Sequence, residues 1–155
     1  MHPNEQLLHD FYAAFERLDA AAMGRSYAPD AHFSDPVFTD LNGEEVGGMW
    51  KMLASRSTDL RVKADEIEAD DERGSAHWVA TYTFSTGRAV VNDIRASFRF
   101  KDGLIVDHRD VFDFGVWAKQ ALGGPALIPV LGPALMQPVV RRQAAGNLKK
   151  FLAGG

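Results

Sequence analysis

Asp110, His108 and Asp35 are the side chains whose types and spacing could move protons. In an extended segment, residues two apart share a face. His108, Asp110 and Phe112 therefore point one way, and Asp107, Arg109, Val111 and Asp113 the other. Phe112, with Ala96, Phe98 and Phe100 on the preceding extended run, suits a concave apolar interior, and the imidazole and carboxylate enter it with them. Asp35 shares its stripe with Phe33 and Val37, again one acid among apolar groups. Removing a carboxylate from water raises its pKa, and a protonated histidine beside it lowers it again. Acids whose pKa values are driven apart suit proton abstraction and return. The expected roles are Asp110 as leading general base or acid, Asp35 as a second, and His108 as the group that orients or tunes them. The plainer alternatives are that Asp35 caps a turn before Pro36 and that Asp110 pairs with Arg95 or Arg99.

The elements that must position these groups are legible in the spacing. Leu7, Leu8, Phe11, Phe15 and Leu18 recur at helical intervals between Asn4 and Met23, with Asn4 as the expected cap. A short helix follows from Asp19, then an extended piece containing Phe33, Asp35 and Val37 that Pro36 confines to an edge or end. Glu44 to Arg56 reads as a third helix carrying Met49, Trp50 and Met52 as core or pocket wall. Leu60–Ala69, Ser75–Ser85, Arg88–Phe100 and Leu104–Phe112 are four extended runs separated by glycine-bearing polar turns, the pattern of antiparallel hairpins. A helix through Trp117 and Leu122 comes next. Pro129, Pro133 and Pro138 then divide the tail into two short helical pieces and a longer one over 139–152. Helices, then an antiparallel meander, then a helix define a segregated α+β fold.

Composition narrows the function classes. The chain has 155 residues, enough to bury a sizeable core. A net charge of −4 gives no electrostatic case for nucleic acid. Without cysteine there is no disulfide, thiolate or cysteine-bound zinc chemistry. His32, Asp35, His77, His108 and Asp110 match no ligand spacing, so neither metal nor other cofactor is expected. The first residues lack a basic segment followed by an apolar one, and no apolar run has membrane-spanning length, so the expected location is cytoplasmic.

Two stretches carry a family resemblance. Residues 27–38, Tyr-Ala-Pro-Asp-Ala-His-Phe-Ser-Asp-Pro-Val-Phe, are similar to a ketosteroid isomerase segment that holds the catalytic base, which falls on Asp35. Residues 103–113, Gly-Leu-Ile-Val-Asp-His-Arg-Asp-Val-Phe-Asp, resemble a limonene epoxide hydrolase segment, with Asp110 on one member of that family's Asp-Arg-Asp set. Together they are similar to the nuclear-transport-factor-2-like superfamily, with its SnoaL-like polyketide cyclases. The resemblance implies a cone: helices on a strongly curved, mainly antiparallel sheet around a pocket. It implies Phe11 and Ala96 where the isomerases keep their two oxyanion donors, which argues against the usual steroid isomerase mechanism. It leaves Tyr12 pointing elsewhere on the helix, and it turns His77 inward with Phe11, Phe33, Trp50, Ala96, Phe98 and Phe112 as ligand-lining residues. A lone strand histidine is more often a hydrogen-bonded bystander.

The expected function is a SnoaL-like acid–base enzyme, an isomerase or cyclase, acting on a small hydrophobic or carbonyl-bearing molecule. The alternative is a non-catalytic binding or interaction module of the same fold. One domain is expected, with residues 1–122 as cone core and 123–155 as a helical extension. The apolar stretch from Ala126 to Met136 must cover something: a lid over the cone's mouth is preferred to a subunit interface or a membrane surface. A homodimer is the default assembly.

Overall fold

A computed structural model describes residues 1–123 and 132–154. Helix α1 (Pro3–Glu16) and the short α2 (Ala20–Gly24) precede strand β1 (Tyr27–Ser34), the two-residue β2 (Leu41–Asn42) and helix α3 (Glu44–Arg56). Strands β3 (Arg61–Ala69), β4 (Arg73–Thr83), β5 (Ala89–Lys101) and β6 (Leu104–Val111) follow, then helices α4 (Phe114–Ala121) and α5 (Gly132–Gly154). The strands form one six-stranded sheet in the order β2-β1-β6-β5-β4-β3. β3 to β6 pair antiparallel as the hairpin turns require, whereas β1 lies parallel to β6. This is the α+β architecture expected from the sequence.

Strict alternation along β5 sends Val90, Asn92, Ile94, Ala96, Phe98 and Phe100 inward and their neighbours outward. A bulge between Asp65 and Glu68, where Glu66 takes φ 51°, bends β3 over the body. α1 lays Leu8, Phe11, Tyr12 and Phe15 on the concave face, and α3 adds Val46, Met49 and Trp50, all 3% exposed or less. Burying such side chains is worth about 1.5–3 kcal/mol each. Asn4 does not cap α1. His2 does, its Nδ1 accepting from the Asn4 N–H at 3.0 Å. The buried Asn4 amide instead donates to the carbonyls of Asp70 and Asp71 and ties the helix to the β3–β4 turn.

Other expectations need correction. Gly74 is not a turn residue but lies in β4, where a Cβ would meet Phe100 at 2.9 Å and Leu8 at 3.0 Å, so the close packing calls for glycine. Asp35 is not extended: β1 ends at Ser34, and residues 35–38 fold into a turn closed by the Asp35 N–H on the Phe38 carbonyl at 2.7 Å. The tail is not broken at Pro138, since α5 runs through it. The hydrogen bond lost there is offset by packing, with Leu148 2% exposed and Val140, Ala144 and Phe151 against the body. Most of the apolar stretch expected to form a lid lies outside the described residues.

Candidate active site

Strand β6 delivers His108 and Asp110 into the core, at 0% and 2% exposure. The imidazole is enclosed by rings, with centroids of Phe98 at 4.2 Å, Phe33 at 4.9 Å and Phe11 at 6.0 Å. A line of hydrogen bonds runs through it. Trp50 Nε1 donates to the Tyr27 hydroxyl oxygen at 3.0 Å, Tyr27 meets His108 Nδ1 at 2.7 Å, and His108 Nε2 meets Asp110 Oδ1 at 2.9 Å. Indole can only donate and the Asp110 carboxylate can only accept, so in a neutral imidazole the ring proton faces Asp110 and the phenolic proton goes to Nδ1. Nδ1 is then the acceptor, and the ring proton sits on Nε2 and points at Asp110. Trp78 Nε1 donates to the same Oδ1 at 3.3 Å. Among the described residues, Asp110 Oδ2 has no hydrogen-bond partner.

Asp35 reaches Asp110 through the parallel pairing of β1 with β6. The last registered pair is Ser34 with Arg109, and Asp35, next in the chain, starts the turn that brings its carboxylate to the cleft Asp110 also borders. The Asp35 carboxylate caps its own turn, accepting from the Val37 N–H at 2.7 Å and the Phe38 N–H at 2.6 Å. Burial pushes its pKa up to about 7, helped by the charge of Asp110 and opposed by those two donors and by Arg141. α5 holds the turn from outside: Gln137 Nε2 and Arg141 Nε donate to the Pro36 carbonyl at 3.0 and 2.9 Å. A cleft of about 290 Å³ opens here, bordered by Asp35, Asp110, Thr39, Arg109 and Arg141.

Residues 8–108 match the family model of the SnoaL-like domain. The chain belongs to that family. No curated protein matches the SnoaL-like chain by sequence. Its fold recurs in a nuclear-transport-factor-2-like protein of unknown function from Burkholderia pseudomallei, at 21% identity and TM-score 0.69, covering 79% of this chain and 99% of that one. A putative polyketide cyclase from Xanthomonas campestris is similar at 23% identity and TM-score 0.64, covering 76% and 96%. An epoxide hydrolase of the limonene type from Mycobacterium tuberculosis is similar at 20% identity and TM-score 0.65, covering 79% and 91%. At these identities the likeness shows the fold.

In this SnoaL-like domain the structure brings together Asp35, His108 and Asp110. Phe11, Phe33, Trp50, Ala96 and Phe98 also face the interior, but at 1–4% exposure they are buried in mutual contact. Phe112 is half-buried at the seam between the main core and the cluster around Trp117. Ala96 stands directly opposite Asp110. Asp110 does not pair with Arg95 or Arg99, which alternate to the outer face.

His77 is also on the outer face, because Ala76, Trp78 and Ala80 take the inward positions of β4. Its ring bridges Asp65 at Nδ1 and Asp93 at Nε2, both at 2.7 Å, and those bonds raise its pKa. Asp65, Glu66 and His77 bring potential metal-ligand atoms within 4.8 Å of one another, but Glu66 is paired with Arg95 and both ring nitrogens are occupied. That cluster is an ion network of the sheet surface.

Tyr12 was expected to point elsewhere and instead enters the core. It is 3% exposed, its hydroxyl has no partner among the described residues, and burial, then the charge of Asp110, push its pKa up. Helical spacing could have found it, since 8, 11, 12 and 15 form one continuous face. Tyr82, which accepts from Trp117 Nε1 at 2.8 Å, was also missed. Its pKa is raised by burial and, further, by Asp35. Only the folded arrangement sets Tyr82 near that acid. Among the described residues no helix is long and apolar enough to cross a membrane.

Proposed function

We propose that this SnoaL-like domain binds a small, mostly apolar, carbonyl-bearing molecule at the cleft beside α5 and transfers a proton on it. Asp35 is the group that takes and returns the proton, and Asp110 is its fixed neighbour. The observation that carries this reading is an acid bordering an open cleft with a pKa of about 7, where both protonation states are populated at neutrality. A proton leaving the carbon next to a carbonyl would pass to the Asp35 carboxylate, and the C–H electron pair would become the enolate double bond. Arg141, which borders the same cleft, supplies positive charge for the developing oxyanion. His108 and Trp78 hold Asp110 through Oδ1 and leave Oδ2 for a ligand. The two acids thus exchange the ranks that strand alternation alone suggests. The fold is shared with a putative polyketide cyclase and an epoxide hydrolase, which supports a small-molecule site.

Deuterium wash-in from D2O next to the carbonyl of 2-tetralone, followed by NMR, tests the reading without knowledge of the natural substrate. The wild-type rate should exceed buffer, rise through about pH 7 to a plateau, and vanish in Asp35→Asn. No acceleration over buffer, or equal acceleration in the variant, would sink it.

A second reading, a binding module without catalysis, is favoured by the filled interior, where Phe11, Phe33 and Phe98 are 3% exposed or less. Saturable binding of the same ketone with no deuterium incorporation would support it.

A further inference from the structure

On the outer face of the sheet, three arginines from three adjacent strands converge on a second cleft, of about 310 Å³. Arg73 on β4 is directly opposite Arg99 on β5, and Arg99 is opposite Asp107 on β6. In the next row Ser97 stands between Ser75 and Arg109. All three arginines are exposed, and among the described residues none of them makes an ion pair or a side-chain hydrogen bond. The arginines that do are Arg17, Arg88, Arg95 and Arg141. Like charges directly opposite one another across two strands are destabilising. Three guanidiniums and one carboxylate leave a formal surplus of two positive charges here, on a chain whose net charge is −4.

We propose that this cleft is a binding site for a multiply charged oxyanion of the phosphate or pyrophosphate kind. The planar guanidinium presents paired N–H donors that match phosphate oxygens two at a time, and the Ser97 hydroxyl adds a neutral donor. An anion in the cleft offsets the Arg73–Arg99 repulsion that the sheet register imposes. Asp107, the one acid at the rim, works against such a ligand and sets a lower limit on the charge it must carry. The site is independent of the proton-transfer reading: Arg109 borders both clefts, but Arg73, Arg99 and Ser97 do not touch the acids.

Inorganic pyrophosphate titrated into the full chain at low ionic strength, read by calorimetry and by arginine Nε–Hε NMR signals, tests the site. Saturable binding with one site per chain is expected, weakened about tenfold or more in Arg73→Gln and Arg99→Gln. Asp107→Asn should tighten it, and Arg17→Gln, a surface arginine remote from the cleft in sequence, should leave it unchanged. The side chains are exposed, so circular dichroism of the variants should overlay the wild type. Absence of binding, or an equal loss in Arg17→Gln, would overturn the proposal. So would a shift from dimer to monomer in Arg99→Gln by sedimentation with no pyrophosphate binding, which would mean that the arginines meet a second copy of the chain.

Discussion

Tyr27 gives its phenolic proton to Nδ1 of a neutral His108, 2.7 Å away, whose Nε2–H faces the Asp110 carboxylate, while its oxygen accepts from the indole of Trp50. One residue on β1 thereby supports the Nε2–H tautomer of another on β6, the form that faces its donor to Asp110.

Tyr27→Phe removes that proton donor and leaves both Nδ1 and the Trp50 N–H buried without a partner. A loss of about 1–3 kcal/mol is expected in urea unfolding. The imidazole 15N shifts should report an Nε2–H tautomer in the wild type and lose that single signature in the variant.

Asp35→Asn should stabilise the protein at alkaline pH. Its folded pKa of about 7 lies above the unfolded carboxylate value of 3.8, so the native state holds the proton more tightly. Stability is then highest below the unfolded pKa and is lost as pH rises through the folded one. The amide can still accept from Val37 and Phe38. The variant should match the wild type near about pH 4 and gain on the order of 2 kcal/mol above about pH 8, a figure reduced for water in the cleft. Thermal melts at the two pH values would settle it, and an equal effect at both would contradict the raised pKa.

Asp110→Ala should cost about 2–4 kcal/mol, because it orphans two buried donors, His108 Nε2 and Trp78 Nε1. Asp110→Asn, which keeps one acceptor oxygen, should lose much less. Chemical denaturation of the pair distinguishes a structural acceptor from a dispensable charge.

His77→Gln tests the outer-face network. Hydrogen bonding to Asp65 is the main cause of the raised histidine pKa, with Asp93 adding to it. The contribution is fully present below the unfolded value of 6.5 and disappears as pH rises through the folded one. Both acids are largely exposed, at 69% and 73%, so the deficit should stay under about 1 kcal/mol at about pH 5.5. It should fade with salt and be absent at about pH 9.

Leu148→Ala should loosen α5 from α3, at a cost of about 2–5 kcal/mol for a side chain only 2% exposed. Faster hydrogen exchange along residues 132–154 and at the 35–38 turn is the expected signature, since Gln137 and Arg141 hold that turn.

The sequence by itself determined the elements and the inward face of β6. Local rules suffice there: the period-two alternation that carries Phe98 and Phe100 inward carries His108 and Asp110 with it, and glycine-bearing turns set the antiparallel meander. A turn capped by Asp35 was only the plainer alternative to an extended segment, and nothing local shows that the same carboxylate borders a cleft. The partners were decided by tertiary structure alone. Pairing β1 parallel to β6 brings Asp35 to the cleft that Asp110 borders and Tyr27 against His108, 81 residues away in the chain, and no local periodicity encodes such a register. The face of His77 followed the same logic. Its neighbours Ala76 and Trp78 filled the interior, and an imidazole between two acids is better solvated outside. Pro138 marked a break by local rules, and α5 passes through it because packing against α3 and α4 outweighs one missing hydrogen bond.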